Sequence, residues 1–287
     1  MTTPRKLLTA WNLKARKDLG QNFLTDPSFA QMLVARSGLS TEDVVLEIGA
    51  GLGALTIPIA KIASKVYAIE KDLDLIALLK TELLVANLTN VTIFKKDILK
   101  MDLDELVADA GQKLVVMGNL PYNISSQVLV QLIKGRRGIQ RAILMFQKEL
   151  AERICASSGI KAYGRLSVML AYCSEIKTIS SISAKLFFPR PKVDSTLLEI
   201  RFKQKPIFPA KSEALLFKVI KTAFGKRRKT LKNALIGNEL QLDASMARYF
   251  LEQAGIDPVR RAETLSAGEF VCLSNCLFDR DKTTPHT

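Results

Sequence analysis

The chain has 287 residues, enough for one large domain or a large one with a small companion, and with 48% of them hydrophobic it is not a disordered chain. Lys and Arg total 42 against 28 Asp and Glu, a formal charge of +14. That charge says nothing about fold, but it selects a polyanionic partner, nucleic acid or an anionic membrane surface.

Residues 1–17 carry Arg5, Lys6, Lys14, Arg16 and Lys17 with no acid, a pattern shared by weak organelle-targeting segments and by RNA-touching arms. A helix is predicted over 26–37, where Asp26 supplies a cap before Pro27, and Phe29, Met32 and Leu33 fall at helical spacing. A strand over 44–48 runs into the turn Gly49-Ala50-Gly51-Leu52-Gly53, and a helix should follow to about residue 62. A second strand (66–69) and helix (72–85) come next, then strands over 91–94, 114–117 and 142–146. Strands alternating with helices predict a parallel sheet covered on both faces. Two late strands, 176–182 and 195–202, suit an antiparallel edge pair. Lys203-Gln204-Lys205-Pro206-Ile207-Phe208-Pro209 marks a linker. Helices are predicted beyond it over 213–224, 229–236, 244–254 and 267–277. The expected division is therefore a domain over 1–205 and a helical one over 206–287.

The only histidine is His286, which disfavours Ser-His and Cys-His nucleophilic mechanisms and a His-based metal site. Cys155, Cys173, Cys272 and Cys276 are scattered and read as reduced thiols of a cytosol-like compartment. Cys272 and Cys276 fall at the spacing of one helix face, but no second pair completes a zinc set. No apolar run is long enough to span a bilayer, and no secretory signal opens the chain.

The glycine turn Glu47-Ile48-Gly49-Ala50-Gly51-Leu52-Gly53 follows a strand and opens a helix, where glycines let the backbone pass close to a nucleoside. Glu70 ends the second strand, where an acid accepts from ribose hydroxyls. Two cofactor classes fit, a dinucleotide and S-adenosylmethionine, and the spacing excludes neither. Asp97 follows the third strand, placed to accept from an adenine amino group, with Ile98 to lie on the ring. Asn119-Leu120-Pro121-Tyr122 sits where the 114–117 strand ends, at the mouth of the sheet. An exocyclic amine is a poor nucleophile because its lone pair is delocalised into the ring. Two acceptors on its hydrogens restore a tetrahedral nitrogen: the Asn119 carboxamide oxygen and a backbone carbonyl held by the rigid proline. Tyr122 offers a stacking face to an extruded base, a task for its ring rather than its hydroxyl. No strong base is needed, since the methylated nitrogen becomes acidic only after transfer.

Taken together these segments resemble the ribosomal RNA adenine dimethyltransferases, the family of the small-subunit enzyme and of the macrolide-resistance enzymes acting on the large subunit. The match runs from about residue 19 to 274. It is carried by Gly20-Gln21-Asn22-Phe23-Leu24, residues 47–53, Glu70, Asp97, residues 119–125 and Phe187-Phe188-Pro189-Arg190-Pro191-Lys192-Val193-Asp194-Ser195. Leu120 departs from the Pro-Pro-Tyr usual in DNA adenine and glutamine methyltransferases. The resemblance implies an α/β fold of the S-adenosylmethionine-dependent, Rossmann-like type, a mostly parallel sheet with an antiparallel edge, plus a small C-terminal helical domain. With the residue reading it places Asn22, Leu24, Gly49, Gly51, Glu70, Asp97, Ile98 and Asn119 around S-adenosylmethionine. Asn119, Pro121 and Tyr122 would act on the base, with Phe187 as the second face of a sandwich opposite Tyr122.

Residues 201–235 hold 11 Lys and Arg and one acid, Glu213, and the stretch 223–235 resembles the small-subunit branch. Lys226, Arg227, Arg228 and Lys229 are expected to track phosphates. The implied reaction is N6,N6-dimethylation of two adjacent adenosines in a hairpin loop near the 3′ end of small-subunit rRNA. The implied partner is that RNA or the precursor small subunit, met by a cytoplasmic monomer without metal or membrane. The rivals are a nicotinamide-dependent oxidoreductase, a non-catalytic RNA-binding relative and a large-subunit methyltransferase. Against the first stands the lack of a hydride-transfer dyad, against the second the intact 119–122 motif, and against the third the run Arg227-Arg228-Lys229.

Overall fold

In the computed structural model of the chain, residues 3–226, 228–237 and 239–283 are described. The elements run α1 (Pro4–Ala10), β1 (Phe23–Leu24), α2 (Pro27–Arg36), β2 (Val44–Ile48), α3 (Thr56–Ala60), β3 (Lys65–Glu70), α4 (Leu73–Val85) and β4 (Val91–Lys95). They continue with α5 (Leu103–Ala110), β5 (Leu114–Asn119), α6 (Ser125–Lys134), β6 (Ile139–Gln147), α7 (Lys148–Cys155), α8 (Arg165–Cys173), β7 (Ser174–Ile182), β8 (Phe187–Phe188) and β9 (Ser195–Phe202). The last four are α9 (Glu213–Gly225), α10 (Leu231–Leu235), α11 (Ala244–Gln253) and α12 (Ala267–Thr283).

The chain forms two units, one of Met1–Ala151 with Ile176–Phe202 and one of Glu152–Glu175 with Lys203–Thr287. The second takes in a segment that the expected 1–205 domain had claimed. The physical reason is the apolar run of α8, whose Leu166, Val168, Met169, Leu170, Tyr172 and Cys173 are all buried. Such a surface must be covered, and α9 and α12 cover it.

In the first unit the sheet order is β4-β3-β2-β5-β6-β9-β7. The strands from β4 to β6 are parallel, and β9 runs antiparallel to β6. This is the mostly parallel sheet with an antiparallel edge that the alternating pattern predicts. β2 is buried along its whole length, as a strand covered on both faces must be. The side chain of Asp26 caps α2 by accepting from Ser28 N and Phe29 N, and that of Asp72 caps α4 by accepting from Asp74 N. The helix expected to reach residue 62 is shorter, spanning Thr56–Ala60, and Gly53 before it, with a φ of +83°, belongs to the turn. The basic opening segment is not a free arm: α1 buries Leu7 and Leu8 in a cluster with Phe23, Leu52, Leu75 and Leu78. A two-stranded sheet, unforeseen in the sequence, pairs β1 with β8, Phe23 opposite Phe188 and Leu24 opposite Phe187.

The second unit is helical. The Phe224 ring of α9 lies with its centroid 6.2 Å from that of Tyr163, edge-on, and 5.9 Å from that of Phe270 of α12, and Leu216, Ile220, Leu231, Leu251 and Leu273 of the same unit are buried.

Candidate active site

The chain connects β2 to β3 on one side of β2, while β5, its neighbour on the other side, leads on to β6. Beyond the carboxyl ends of β2 and β5 that divergence leaves a crevice. Gly118, next to last in β5, makes the two strands' approach possible: a Cβ there would lie 2.5 Å from the Ile48 carbonyl oxygen. At the end of β2 the chain turns through Gly49 and Gly51, both with positive φ. Gly49 N and Ala50 N both donate to the Ile69 carbonyl of β3, which pins the turn to the sheet.

A cavity of about 210 Å³ opens there. The eight residues expected at the cofactor, Asn22, Leu24, Gly49, Gly51, Glu70, Asp97, Ile98 and Asn119, all line it, and so does Pro121. Glu70, at the end of β3, is half-buried and accepts three backbone N–H bonds, from Gly51 at 2.9 Å, Lys71 at 2.8 Å and Asp72 at 2.9 Å. A carboxylate offers about four acceptor directions, so one remains for a ligand hydroxyl. Burial pushes the Glu70 pKa above the ordinary carboxylate range, and the three N–H bonds pull against it. Asp97 accepts from Leu99 N at 3.1 Å and from Lys71 Nζ at 3.0 Å, and the Lys71 ammonium is the main reason its pKa is lowered. Lys71, also on the cavity wall, had no assigned part, because a lone exposed Lys carries no sequence signal.

Asn119 closes β5. Its Nδ2 donates to the Asn22 carbonyl at 2.7 Å. A carbonyl can only accept, so the nitrogen must face it, and Oδ1 is left as an available acceptor. Asn22 is held in turn, its Nδ2 donating to the Gly20 carbonyl at 3.0 Å.

Glu47, quoted in the glycine motif but given no role, is fully buried and lines the same cavity. Its Oε2 has no hydrogen-bond partner among the described residues. Burial first, and the charge of Glu70 after it, push the Glu47 pKa up to about 7. S-adenosylmethionine carries an ammonium, a sulfonium and a carboxylate, a net charge of +1, and a cavity lined by the acids Glu47, Glu70 and Asp97, with one orphaned buried oxygen, fits such a cation.

Tyr122 and Phe187 are not on the cavity wall. Tyr122 is half-buried, with its phenol oxygen 3.0 Å from Ser195 Oγ. Phe187 is only 3% exposed, in a core cluster with Leu24, Ile182 and Leu197. In this conformation its ring is taken up by that core and presents little surface to a base.

Residues 12–278 match the family model described as ribosomal RNA adenine dimethylase. The chain belongs to that family. A ribosomal RNA small subunit methyltransferase A of Desulforapulum autotrophicum is 53% identical to it over 278 residues, 97% of both chains. One of Clostridium botulinum is 39% identical over 96% of this chain and 98% of its own. Among solved structures, a dimethyladenosine transferase from Plasmodium falciparum aligns at a TM-score of 0.74 and 26% identity, covering 91% of this chain and 98% of that one. The 23S rRNA methyltransferase ErmE aligns at 0.65 with 22% identity, covering 89% and 99%, a likeness of fold alone.

Lys226, Arg228 and Lys229 are exposed, while Arg227 and His286 lie outside the described residues. Lys226 shares a cleft with Arg153, Arg165 and Lys221, and Arg165 Nε is buried there without a hydrogen-bond partner among the described residues. Among the described residues no cluster could hold a metal ion, and no helix is long and apolar enough to cross a membrane.

Proposed function

We propose that the chain methylates N6 of two adjacent adenosines in a hairpin loop near the 3′ end of small-subunit rRNA, giving N6,N6-dimethyladenosines during ribosome biogenesis. The observation that carries this reading is Asn119: its carboxamide is turned by the Asn22 carbonyl so that Oδ1 is left to accept at the mouth of the sheet. The small-subunit choice is supported by the names of the relatives at 53% and 39% identity.

Glu70, Asp97, Ile98 and the glycine turn would hold S-adenosylmethionine, which supplies an electrophilic methyl group. Asn119 Oδ1 would accept one N6 hydrogen. The second acceptor would be the carbonyl of Leu120, which belongs to the rigid imide with Pro121. The Pro121 carbonyl itself is occupied, accepting from Ser125 Oγ at 2.9 Å and Ile124 N at 3.1 Å. Two fixed acceptors favour the tetrahedral amine most when positive charge grows on nitrogen, so their effect falls on the transition state. The surplus proton is acidic after transfer and leaves to solvent. Tyr122 would stack on the extruded base, with Phe187 opposite only if its core neighbours give way. Lys226, Arg227, Arg228 and Lys229 would track phosphates as a sequence-independent anchor. The chain would act as a cytoplasmic monomer.

The test is methyl transfer from labelled S-adenosylmethionine to immature small subunits and, separately, to large-subunit RNA. Label in two adjacent small-subunit adenosines supports the proposal. Label confined to large-subunit RNA overturns it.

A further inference from the structure

Tyr122 hangs from the loop between β5 and α6, and its side chain is fixed at both ends. At the backbone end, the Pro121 carbonyl is tied down by Ser125 Oγ and Ile124 N. At the far end, the phenol oxygen meets Ser195 Oγ at 3.0 Å. Ser195 is fully buried at the start of β9, opposite Gln147, the last residue of β6. The residue before it is anchored twice: the Asp194 carbonyl accepts from Lys148 N at 3.0 Å, and Asp194 Oδ1 accepts from Ala184 N at 2.8 Å. A hydroxyl on so constrained a strand end is a rigid mooring for a ring that otherwise turns about two single bonds.

Stacking by itself gives Tyr122 no use for its oxygen, since Phe presents the same face. The buried serine supplies that use. A tyrosine phenol holds its proton at neutral pH, and burial raises its pKa further, so the group stays able to donate. Among the described residues Ser195 Oγ has this one side-chain hydrogen bond.

We infer that Ser195 is a positioning residue for methyl transfer: through the Tyr122 hydroxyl it sets the angle of the ring that stacks on the target adenine. The inference rests on the reading of Tyr122 as the stacking face. It reverses the expectation that the ring alone matters, and makes Tyr122→Phe costly. It also bears on the second methylation. A base carrying one N-methyl has a single N–H left to hold it, so its placement depends more on the ring, and a loose ring slows the second transfer more than the first.

The experiment is single-turnover transfer by the full chain to small-subunit RNA, with monomethyl and dimethyl products resolved by mass spectrometry. Ser195→Ala, Tyr122→Phe, their combination, Ser195→Thr and Tyr122→Ala are compared. Ser195→Ala and Tyr122→Phe should each slow transfer by about 2- to 13-fold, the worth of one hydrogen bond. S-adenosylmethionine and RNA dissociation constants should stay within about twofold, and monomethyl product should accumulate. The combination should be no slower than either single change, because both remove one bond. Ser195→Thr, which keeps the hydroxyl, should recover most of the rate. Wild-type rates in Ser195→Ala and Tyr122→Phe, with Tyr122→Ala slow, would overturn the positioning role and leave the stacking reading standing. A wild-type rate in Tyr122→Ala would remove the stacking reading itself. If Ser195→Ala does not fold, Tyr122→Phe decides alone: it keeps ring and core, and an unchanged product ratio overturns the inference.

Discussion

The cofactor cleft and the basic surface of the helical unit are both patterns of charge, but they are built in opposite ways. In the cleft two acids already have partners in the molecule, Glu70 holding three N–H groups and Asp97 holding Leu99 N and Lys71, while buried Glu47 keeps one oxygen without a partner among the described residues. Lys226, Arg228 and Lys229 lie exposed. The first arrangement is pre-organised, so a small molecule meets groups that need not move. The second, on the proposed function, is left to a polyanion that supplies the opposite charge from outside. Damage to the cleft should therefore appear in stability, pH response and cofactor affinity, and damage to the basic surface only in RNA binding.

The largest stability effect is expected beside the cleft. Phe187→Ala should lower unfolding free energy by about 3–5 kcal/mol, because its ring fills the core around Leu24 and Leu197. Denaturant titration would check this. An unchanged midpoint with slowed transfer would instead make Phe187 a stacking face.

Glu47 supplies the next effect. Between its ordinary value of 4.5 and the folded value of about 7, the folded chain keeps a proton that the unfolded chain has released. Stability should fall as pH rises through that window, by up to about 3 kcal/mol, and flatten above it. Melting curves from pH 4 to 8 should show the slope in the wild type and lose it in Glu47→Gln. The same slope in both would place the titration elsewhere.

Glu70→Ala should raise the S-adenosylmethionine dissociation constant about 10- to 150-fold, the worth of a charged acceptor at roughly 1.5–3 kcal/mol, with RNA affinity nearly unchanged. Calorimetry would read it, and unaltered cofactor affinity would take Glu70 out of the site. The smallest effect on the fold belongs to the other region. Replacing Lys226, Arg228 and Lys229 with Ala should leave stability within about 0.5 kcal/mol, yet lower the log–log salt slope of RNA binding by roughly 2–3 units. An unchanged slope would make them a solvated face and erase the contrast.

Local pattern carried much of this structure. β2 and β9 fall where alternation and apolar runs place them, and six of the eight residues expected at the cofactor, Gly49, Gly51, Glu70, Asp97, Ile98 and Asn119, converge because strand ends of a parallel sheet share one rim, whereas Asn22 and Leu24 reach the cavity from β1 and the residue before it. Non-local pairing was not legible. Phe23–Leu24 and Phe187–Phe188 are two-residue strands with no period to detect, and nothing near either names the other. The α8 segment was read with the wrong unit because its cover comes from α9 and α12, which follow it much later in the chain. Ser195 ends the 187–195 motif, but only a distance reveals that it holds the Tyr122 phenol. Phe187 shows the converse: its motif marks it as functional, and burial shows that it is also core.

The central claim is that Asn119 acts on the amine when the transition state forms. The measurement is single-turnover methyl transfer by Asn119→Ala, with mono- and dimethyl adenosine resolved by mass spectrometry and RNA and cofactor binding measured beside it. Loss of one oriented acceptor should cost roughly 3–4 kcal/mol, a rate drop of about 10²–10³, while the RNA stays bound. Near-normal rates for both methylations would contradict the account, and residues 119–122 would then be a strand-ending turn with a rigid proline.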